Sequence, residues 1–132
     1  MKRYFSIVKS DHLANRLRMS NRSNLLIIDV REPENFVSGH IKGAWNYDSR
    51  DISRWKEIDT GLLEKINSSN FIFELYFHCH MSLIRGPSSA KHIEDLLARD
   101  SFLKENVKVF LVEGGWKGWK RQYPDLTYYN IK

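Results

Sequence analysis

The sequence predicts an α/β fold with a central, mostly parallel five-stranded sheet and helices on both faces. Short apolar runs alternate along the chain with segments whose apolar residues recur at helical spacing. Two of the runs, at residues 25–28 and 107–112, are almost continuously apolar, as strands buried on both faces of a parallel sheet are. The chain has 132 residues, which is typical of one domain, and we expect that domain to span residues 1–132.

Three of the predicted strands lie in the first half of the chain, at residues 5–8, 25–28 and 44–46. Ser10 is expected to cap the helix after the first strand through its hydroxyl, because apolar residues follow it at helical spacing. Pro33 suits the first turn of a short helix at residues 34–38, and Gly39 suits its end.

The other two predicted strands lie at residues 71–78 and 107–112. Asp59 is expected to cap the helix before the first of them, and Pro87 to begin the helix after it. The apolar faces predicted for these two helices comprise Leu62, Leu63, Ile66, Ala90, Ile93, Leu96 and Leu97. Gly114 and Gly115 are expected to turn the chain at positive φ into a last helix, whose Trp116 and Trp119 pack in the core.

Composition and charge exclude several classes of protein. The chain is 42% hydrophobic and 13% aromatic, which excludes disorder as its main state, and no apolar run approaches the ~20 residues of a membrane span. The net charge of +5 is scattered rather than clustered, so we expect no nucleic-acid partner and no membrane partner. A small anionic substrate accounts for the same charge.

The single cysteine, Cys79, excludes an intramolecular disulfide and a multi-cysteine zinc site. Its neighbours His78 and His80 do not form a metal site with it, because adjacent side chains at a strand end diverge. No apolar stretch of a secretory signal follows the basic residues at the start, so we expect a cytoplasmic or nuclear protein, or one found in both places. A lone thiol stays reduced there.

Cys79 and Arg85 are separated by five residues, between a predicted strand and a predicted helix. A tight loop that closes onto a helix start turns several backbone N–H groups inward and forms an anion-binding nest. Arg85 can hold two oxygens of a tetrahedral oxyanion with its planar guanidinium. The same positive field favours the thiolate form of Cys79, which makes it a nucleophile.

The chain resembles the rhodanese-like domain in a series of ordered landmarks. They are Leu-Ile-Ile-Asp-Val-Arg at 26–31, Gly-His-Ile-Lys-Gly-Ala at 39–44, His78-Cys79 with Arg85-Gly86-Pro87, and Glu-Gly-Gly-Trp-Lys-Gly-Trp at 113–119. The His-Cys…Ser…Arg-Gly-Pro form is similar to the branch that contains the M-phase inducer phosphatases and the eukaryotic arsenate reductases. The loop is one residue longer than in the sulfurtransferases of the family, which suits phosphate or arsenate.

The resemblance implies roles for individual residues. Cys79 would be the nucleophile and Arg85 the oxyanion clamp. The backbone cradle that binds the oxyanion would comprise His80, Met81, Ser82, Leu83 and Ile84, together with Arg85. Supporting positions would be Asp29, Arg31, His40 and Glu113, with Asp29 accepting hydrogen bonds and Arg31 pairing with a carboxylate.

The loop departs from the phosphatases of the branch at two positions, because His80 and Ile84 stand where those enzymes carry glutamates. The identity of the general acid is therefore left open. The candidates are Glu32, Asp48, Asp51, Asp59, Glu113 and, in the loop itself, His80 and Ser82. His80 is expected to face solvent, and Ser82 to be able to hydrogen-bond the thiolate.

The leading functional hypothesis is a cysteine-dependent phosphatase of the protein tyrosine or dual-specificity type, which acts through a phosphocysteine intermediate. The alternative is an arsenate reductase that uses the same cysteine with glutathione and glutaredoxin as reductant. Sulfur transfer and a non-catalytic binding module rank below both. The expected partner is a phosphoprotein or a small oxyanion; no cofactor or metal is expected, and the oligomeric state is left open.

Overall fold

Seven strands are present in a computed structural model of the chain, which describes residues 5–19, 22–70 and 72–130. They are β1 (Ser6–Val8), β2 (Leu25–Asp29), β3 (Gly39–Ile41), β4 (Trp45–Asn46), β5 (Phe73–His78), β6 (Val107–Val112) and β7 (Thr127–Tyr129). Five of them form one parallel sheet in the order β1-β6-β5-β2-β4, and β3 pairs with β7 in a separate antiparallel ribbon. The predicted five-stranded parallel sheet is confirmed.

Seven α-helices and one 3₁₀ turn accompany these strands in the described part of the chain. The helices are α1 (Ser10–Arg18), α2 (Pro33–Ser38), α3 (Ser49–Ile52), α4 (Thr60–Asn67), α5 (Arg85–Leu97), α6 (Ser101–Asn106) and α7 (Gly115–Gln122), and the 3₁₀ turn is Pro124–Leu126. Among the residues described, no helix has both the length and the apolar character that a membrane span requires.

Helices cover both faces of the sheet, as predicted. Side chains alternate between the faces along each strand. Leu26 and Ile28 of β2 therefore pack in a core with α4, α5 and α6, whereas Leu25 and Ile27 pack in a second core with α1 and α7. All five residues of β2 are buried, which explains why its sequence is continuously apolar up to Asp29.

The boundaries of the main elements agree with the sequence pattern, with two exceptions. The expected Ser10 cap is wrong, because Lys9 occupies the capping position of α1 and the Ser10 hydroxyl instead donates to Oε1 of Gln122 at 2.7 Å. Helix α5 begins at Arg85, two residues before Pro87, so that Arg85 lies in its first turn. Phe71, which the pattern assigns to a strand, lies outside the described residues.

The other predicted helix starts and tryptophan positions are confirmed. Asp59 caps α4 by accepting a hydrogen bond from the Leu62 N–H at 3.2 Å. Both Trp116 and Trp119 of α7 are buried.

The order of the strands determines where the site lies. Strands β2 and β5 are neighbours and run in parallel, with Asp29 opposite His78 at their carboxyl ends. In an open α/β sheet, ligands bind beyond these ends. The segments that follow β2, β5 and β6 therefore meet at one edge of the sheet, and they contain the residues singled out from the sequence.

Candidate active site

Cys79 lies at the floor of the loop between β5 and α5. It follows β5 directly and is only 4% exposed. The backbone N–H of Gly86, in the first turn of α5, donates to the Cys79 Sγ at 3.3 Å. This contact places a backbone donor and the amino-terminal end of α5 next to the sulfur.

Gly86 is needed for this close approach. A Cβ atom at position 86 would lie 3.0 Å from a methyl carbon of Leu111 and 3.5 Å from the Cys79 Sγ. A side chain here would push the start of α5 away from the sulfur. The glycine that the sequence places after Arg85 therefore brings a helix N-terminus into contact with Cys79.

Arg85 is half-buried at the start of α5, with its guanidinium uncommitted. Within the part of the chain that the structure describes, it forms no hydrogen bond or ion pair. Its positive charge contributes to lowering the pKa of Asp48, so the two side chains interact electrostatically. A bidentate clamp must have free N–H donors, and Arg85 retains them.

Ser82 has an unusual backbone conformation inside the loop. Its φ of +57° makes it the one residue other than glycine at positive φ in the described chain. Its side chain is buried, and among the described residues its Oγ has no hydrogen-bond partner. The expected hydrogen bond to the thiolate is therefore not formed. A buried hydroxyl without a partner is costly, and an oxyanion in the loop would supply one.

The outer face of the loop is apolar. Met81, Leu83 and Ile84 are 43%, 70% and 78% exposed, respectively. These three side chains are accessible on the surface of the loop, whereas Ser82 between them is buried. We call Met81, Leu83 and Ile84 the loop apex.

Helix α7 holds the first part of the loop. The Trp116 N–H donates to the carbonyl of Cys79 at 3.0 Å, and the Lys117 N–H donates to the carbonyl of His80 at 2.9 Å. Gly115 has a φ of +55°, and a Cβ there would lie 2.5 Å from the Cys79 carbonyl oxygen. The sequence indicated only a turn at this glycine, and the contact with the loop was missed.

Asp29 and Arg31 form a buried ion pair behind the loop. Arg31 Nη2 lies 2.7 Å from Asp29 Oδ2 and 2.7 Å from the carbonyl oxygen of Gly39, and its guanidinium stacks over Trp116 at 4.8 Å. Burial alone would raise the pKa of Asp29, but attraction to His78 and the contacts with Arg31 outweigh it and hold that pKa below its usual value. The pair thus joins the end of β2 to β3 and α7.

His78 connects this ion pair to the nucleophile. Its ring is fully buried, and its Nδ1–H donates to the Cys79 carbonyl at 3.0 Å. Its Nε2 lies 3.8 Å from Asp29 Oδ2 without a hydrogen-bond partner among the described residues. Burial lowers the pKa of His78, although Asp29 opposes the shift. The hydrogen bond from His78 therefore holds the backbone of Cys79 in place.

The remaining candidates lie around this centre. His80 is exposed, and burial and the charges of Lys120, Arg31 and Lys117 lower its pKa. His40 stacks on Phe36 at 3.8 Å between ring centres and donates to its carbonyl, which is a structural contact. Glu113 is exposed directly after β6.

Asp48 is a general-acid candidate whose pKa is affected by the charge of Arg85. Its buried carboxylate accepts hydrogen bonds from the backbone and guanidinium of Arg50. Hydrogen bonds from Arg50 are the main cause that lowers its pKa, so Asp48 stays ionised and holds no proton to donate. Asp59 is committed to the α4 cap and to the Tyr47 hydroxyl at 2.8 Å. The structure identifies no contact of Glu32 or Asp51 with the loop among the residues it describes.

Comparison with known proteins shows the family to which the chain belongs. A model of the rhodanese-like domain matches residues 13–122. The dual specificity phosphatase Cdc25 of Arabidopsis thaliana is 30% identical over 91% of this chain and 76% of its own. Arsenate reductase 2.1 of Oryza sativa is 31% identical over 81% of this chain and 64% of its own. The structure of a yeast protein tyrosine phosphatase of the rhodanese family superposes with a TM-score of 0.83 at 23% identity, covering 99% of this chain and 96% of that one.

Proposed function

The chain belongs to the rhodanese-like domain family, and from that premise we propose that it is a cysteine-dependent phosphatase acting on phosphate monoesters. Its relatives include phosphatases and arsenate reductases, which makes it an enzyme of one of these two kinds. The observation that supports the proposal is the contact of the Gly86 N–H with the Cys79 sulfur, at the start of the helix whose first residue is Arg85.

The reaction would proceed in two displacements at phosphorus. The Cys79 thiolate attacks, an S–P bond forms, and the bond between phosphorus and the leaving oxygen breaks. Arg85 and the loop N–H groups stabilise the charge on the non-bridging oxygens. Water then attacks the phosphocysteine, which releases inorganic phosphate and restores the thiolate.

The Ser82 hydroxyl is positioned to donate to the same oxyanion. It is buried inside the loop and has no partner among the described residues. The left-handed backbone at this residue is a strained conformation, and such strain is concentrated at functional sites. A hydroxyl donor here adds to the hydrogen bonds that the cradle gives to the transition state.

The loop apex favours a substrate with an organic group over a bare oxyanion. Its three apolar side chains lie in the loop that follows Cys79, and two of them are 70% and 78% exposed. Exposed apolar clusters of this kind are typical of binding surfaces. An inorganic arsenate ion would gain nothing from them, whereas a phosphorylated protein segment would bury them. We therefore infer a phosphoprotein substrate.

The ionised state of Asp48 bears on the leaving group. Because this carboxylate holds no proton, the site is best suited to leaving groups that depart as anions of moderate basicity, such as phenolates. Phosphotyrosine and other aryl phosphates meet this requirement better than alkyl phosphates.

Arsenate reduction is the second candidate, because the same cradle fits a tetrahedral arsenate and Cys79 is the single cysteine. Cys79 would displace one oxygen of arsenate as water and form an S–As bond. Attack of glutathione on the Cys79 sulfur would then give a mixed disulfide and pass two electrons to arsenic, which leaves as arsenite. Glutaredoxin with further glutathione would reduce the disulfide.

A paired assay tests the proposal. One reduced preparation is assayed for hydrolysis of para-nitrophenyl phosphate and of phosphotyrosine peptides, and for arsenate reduction dependent on glutathione and glutaredoxin. We expect hydrolysis to dominate and Cys79→Ser to abolish it while vanadate still binds. Reduction without hydrolysis would replace the phosphatase by the reductase, and turnover by Cys79→Ser would refute the nucleophile.

The role of the loop apex has its own test. Leu83→Ser should raise KM for a phosphotyrosine peptide while leaving inhibition by inorganic phosphate unchanged. Phe102→Ser is the matched control, because Phe102 is 62% exposed on α6. An unchanged KM in Leu83→Ser would show that the apex does not contact the substrate.

A further inference from the structure

A cavity of about 320 Å³ lies at the amino-terminal half of β2, the end of the strand opposite to the candidate active site. We call it the edge cavity. Its apolar walls include Leu17 of α1, Trp45 of β4 and Leu126, and its charged residues are Arg22, Lys42 and Lys65. A volume of this size is within the range of ligand-binding clefts.

The floor of the edge cavity is the open edge of a strand. Leu25, Leu26 and Ile27 all line it, although successive side chains of a strand point to opposite faces. Three consecutive residues can line one cavity only along the backbone edge. Strand β4 is two residues long and pairs with Ile28 and Asp29. Within the described chain, residues 25–27 therefore have a strand neighbour on the β5 side alone.

The direction of the backbone groups supports this assignment. The Asp29 carbonyl accepts from the Tyr47 N–H at 3.1 Å, so Asp29 turns its carbonyl towards the β4 side. The Asn24 carbonyl accepts from Glu74, and the Val30 N–H donates to His78, so these residues face β5. The side towards which a residue directs its backbone N–H and carbonyl alternates along a strand. Leu25 and Ile27 therefore direct these groups to the same side as Asp29, towards the edge cavity.

The charges around the edge cavity have one sign. Arg22, Lys42 and Lys65 line it, and no aspartate or glutamate does among the described residues. Lys65 is half-buried and forms no hydrogen bond or ion pair within the described chain, whereas Lys42 donates to the Asp125 carbonyl at 2.9 Å. Basic residues on an open edge repel a second copy of a chain whose net charge is +5 and attract an acidic one.

We propose that the edge cavity binds an extended acidic segment of a partner protein, which adds a short strand to β2 in line with β4. Strand addition to an open edge takes its affinity from backbone hydrogen bonds and its specificity from alternate side chains. One face of the added strand would meet the apolar Leu17 and Leu126, and the other would approach Lys65 of α4. The segment therefore alternates apolar and acidic residues.

The test uses an acetylated and amidated Val-Glu-Val-Glu-Val peptide and the full chain in its Cys79→Ser form, so the result does not depend on the proposed phosphatase activity. We expect saturable binding that weakens with salt, with amide chemical-shift changes centred on Leu25 and Ile27. Lys65→Glu should weaken binding about fivefold, as expected for the reversal of one charge pair. The control Lys104→Glu changes an exposed lysine of α6 outside the cavity and should have no effect.

Two companion peptides separate strand addition from simple charge attraction. A peptide N-methylated at alternate residues keeps its charge but cannot pair with the strand edge, and we expect it not to bind. A Val-Lys-Val-Lys-Val peptide should not bind either. Equal binding of the N-methylated peptide, chemical-shift changes outside the edge cavity, or no binding of the acidic peptide would overturn the proposal.

Discussion

Replacing Gly115 by alanine tests whether α7 positions the nucleophile loop. The added Cβ would lie 2.5 Å from the Cys79 carbonyl oxygen and 2.8 Å from the His80 carbonyl oxygen. Real Cβ atoms essentially never approach within 3.0 Å of another atom, so the backbone of the loop must move by about 0.5 Å or more. Both displaced atoms are backbone, and neither can rotate away.

The structure gives the expected magnitude and supplies a matched control. Gly114 has a φ of +82°, and no atom lies within 4 Å of the point that a Cβ would occupy there, so Gly114→Ala carries the left-handed strain alone, about 1 kcal/mol. Gly115→Ala adds the weakening of the hydrogen bonds from Trp116 and Lys117, about 1 kcal/mol each. We expect losses of unfolding free energy of about 1 kcal/mol for Gly114→Ala and about 3 kcal/mol for Gly115→Ala.

The two variants should also differ in activity. A displacement of about 1 Å at a reacting group costs about a hundredfold in rate, so a movement of about 0.5 Å in Gly115→Ala should lower kcat/KM for para-nitrophenyl phosphate about tenfold. Gly114→Ala should retain activity. The measurements are urea denaturation and steady-state kinetics at a temperature where both variants are folded. Equal kcat/KM in the two variants would refute the role of α7.

Three further predictions concern the loop and its support. Arg85→Lys should weaken inhibition by inorganic phosphate about tenfold, since an ammonium lacks the bidentate fork; an unchanged inhibition constant would contradict the clamp. Ser82→Ala should lower kcat more than it raises KM, because the hydroxyl donates to the transition state. A change in KM alone would assign the hydroxyl to ground-state binding instead. Because the folded-state pKa of His78 lies below the ordinary value of 6.5, the unfolded chain takes up a proton that the folded chain does not, and stability should fall as the pH drops below about 6.5. Thermal unfolding from pH 7 to pH 5 should show a shallower decline for His78→Gln, and an identical decline would remove His78 as its source.

The elements that could be predicted from the sequence are those whose local pattern matches their final burial. Strands β2 and β6 follow from their apolar runs, and the α4 start follows from Asp59. Helices α3 and α6 were missed because, with only four and six residues, they contain too few apolar residues to show a recurring helical spacing. The Asp100 cap of α6 was the available signal.

The loop was located from the sequence, but its support was not. Cys79 and Arg85 are close in sequence and lie between two recognisable elements, so their proximity was predictable. The contact of Gly115 with Cys79 joins residues far apart in sequence, and no local pattern reports it. The sequence predicted that Arg31 would pair with a carboxylate, but it did not identify that carboxylate as Asp29. The hydrogen bond from Arg31 to the Gly39 carbonyl depends on the fold and was not predicted.

The hydrogen bonds from α7 also fix the orientation of two peptide planes. In a trans peptide, the carbonyl of one residue points opposite to the N–H of the next. With the Cys79 and His80 carbonyls directed at α7, the N–H groups of His80 and Met81 are turned away from that helix. A neighbouring helix thus orients these loop N–H groups, and the exposed side chains of Met81, Leu83 and Ile84 take no part in that orientation. Substitutions there can change which molecule is accepted without dismantling the means by which its anionic group is held.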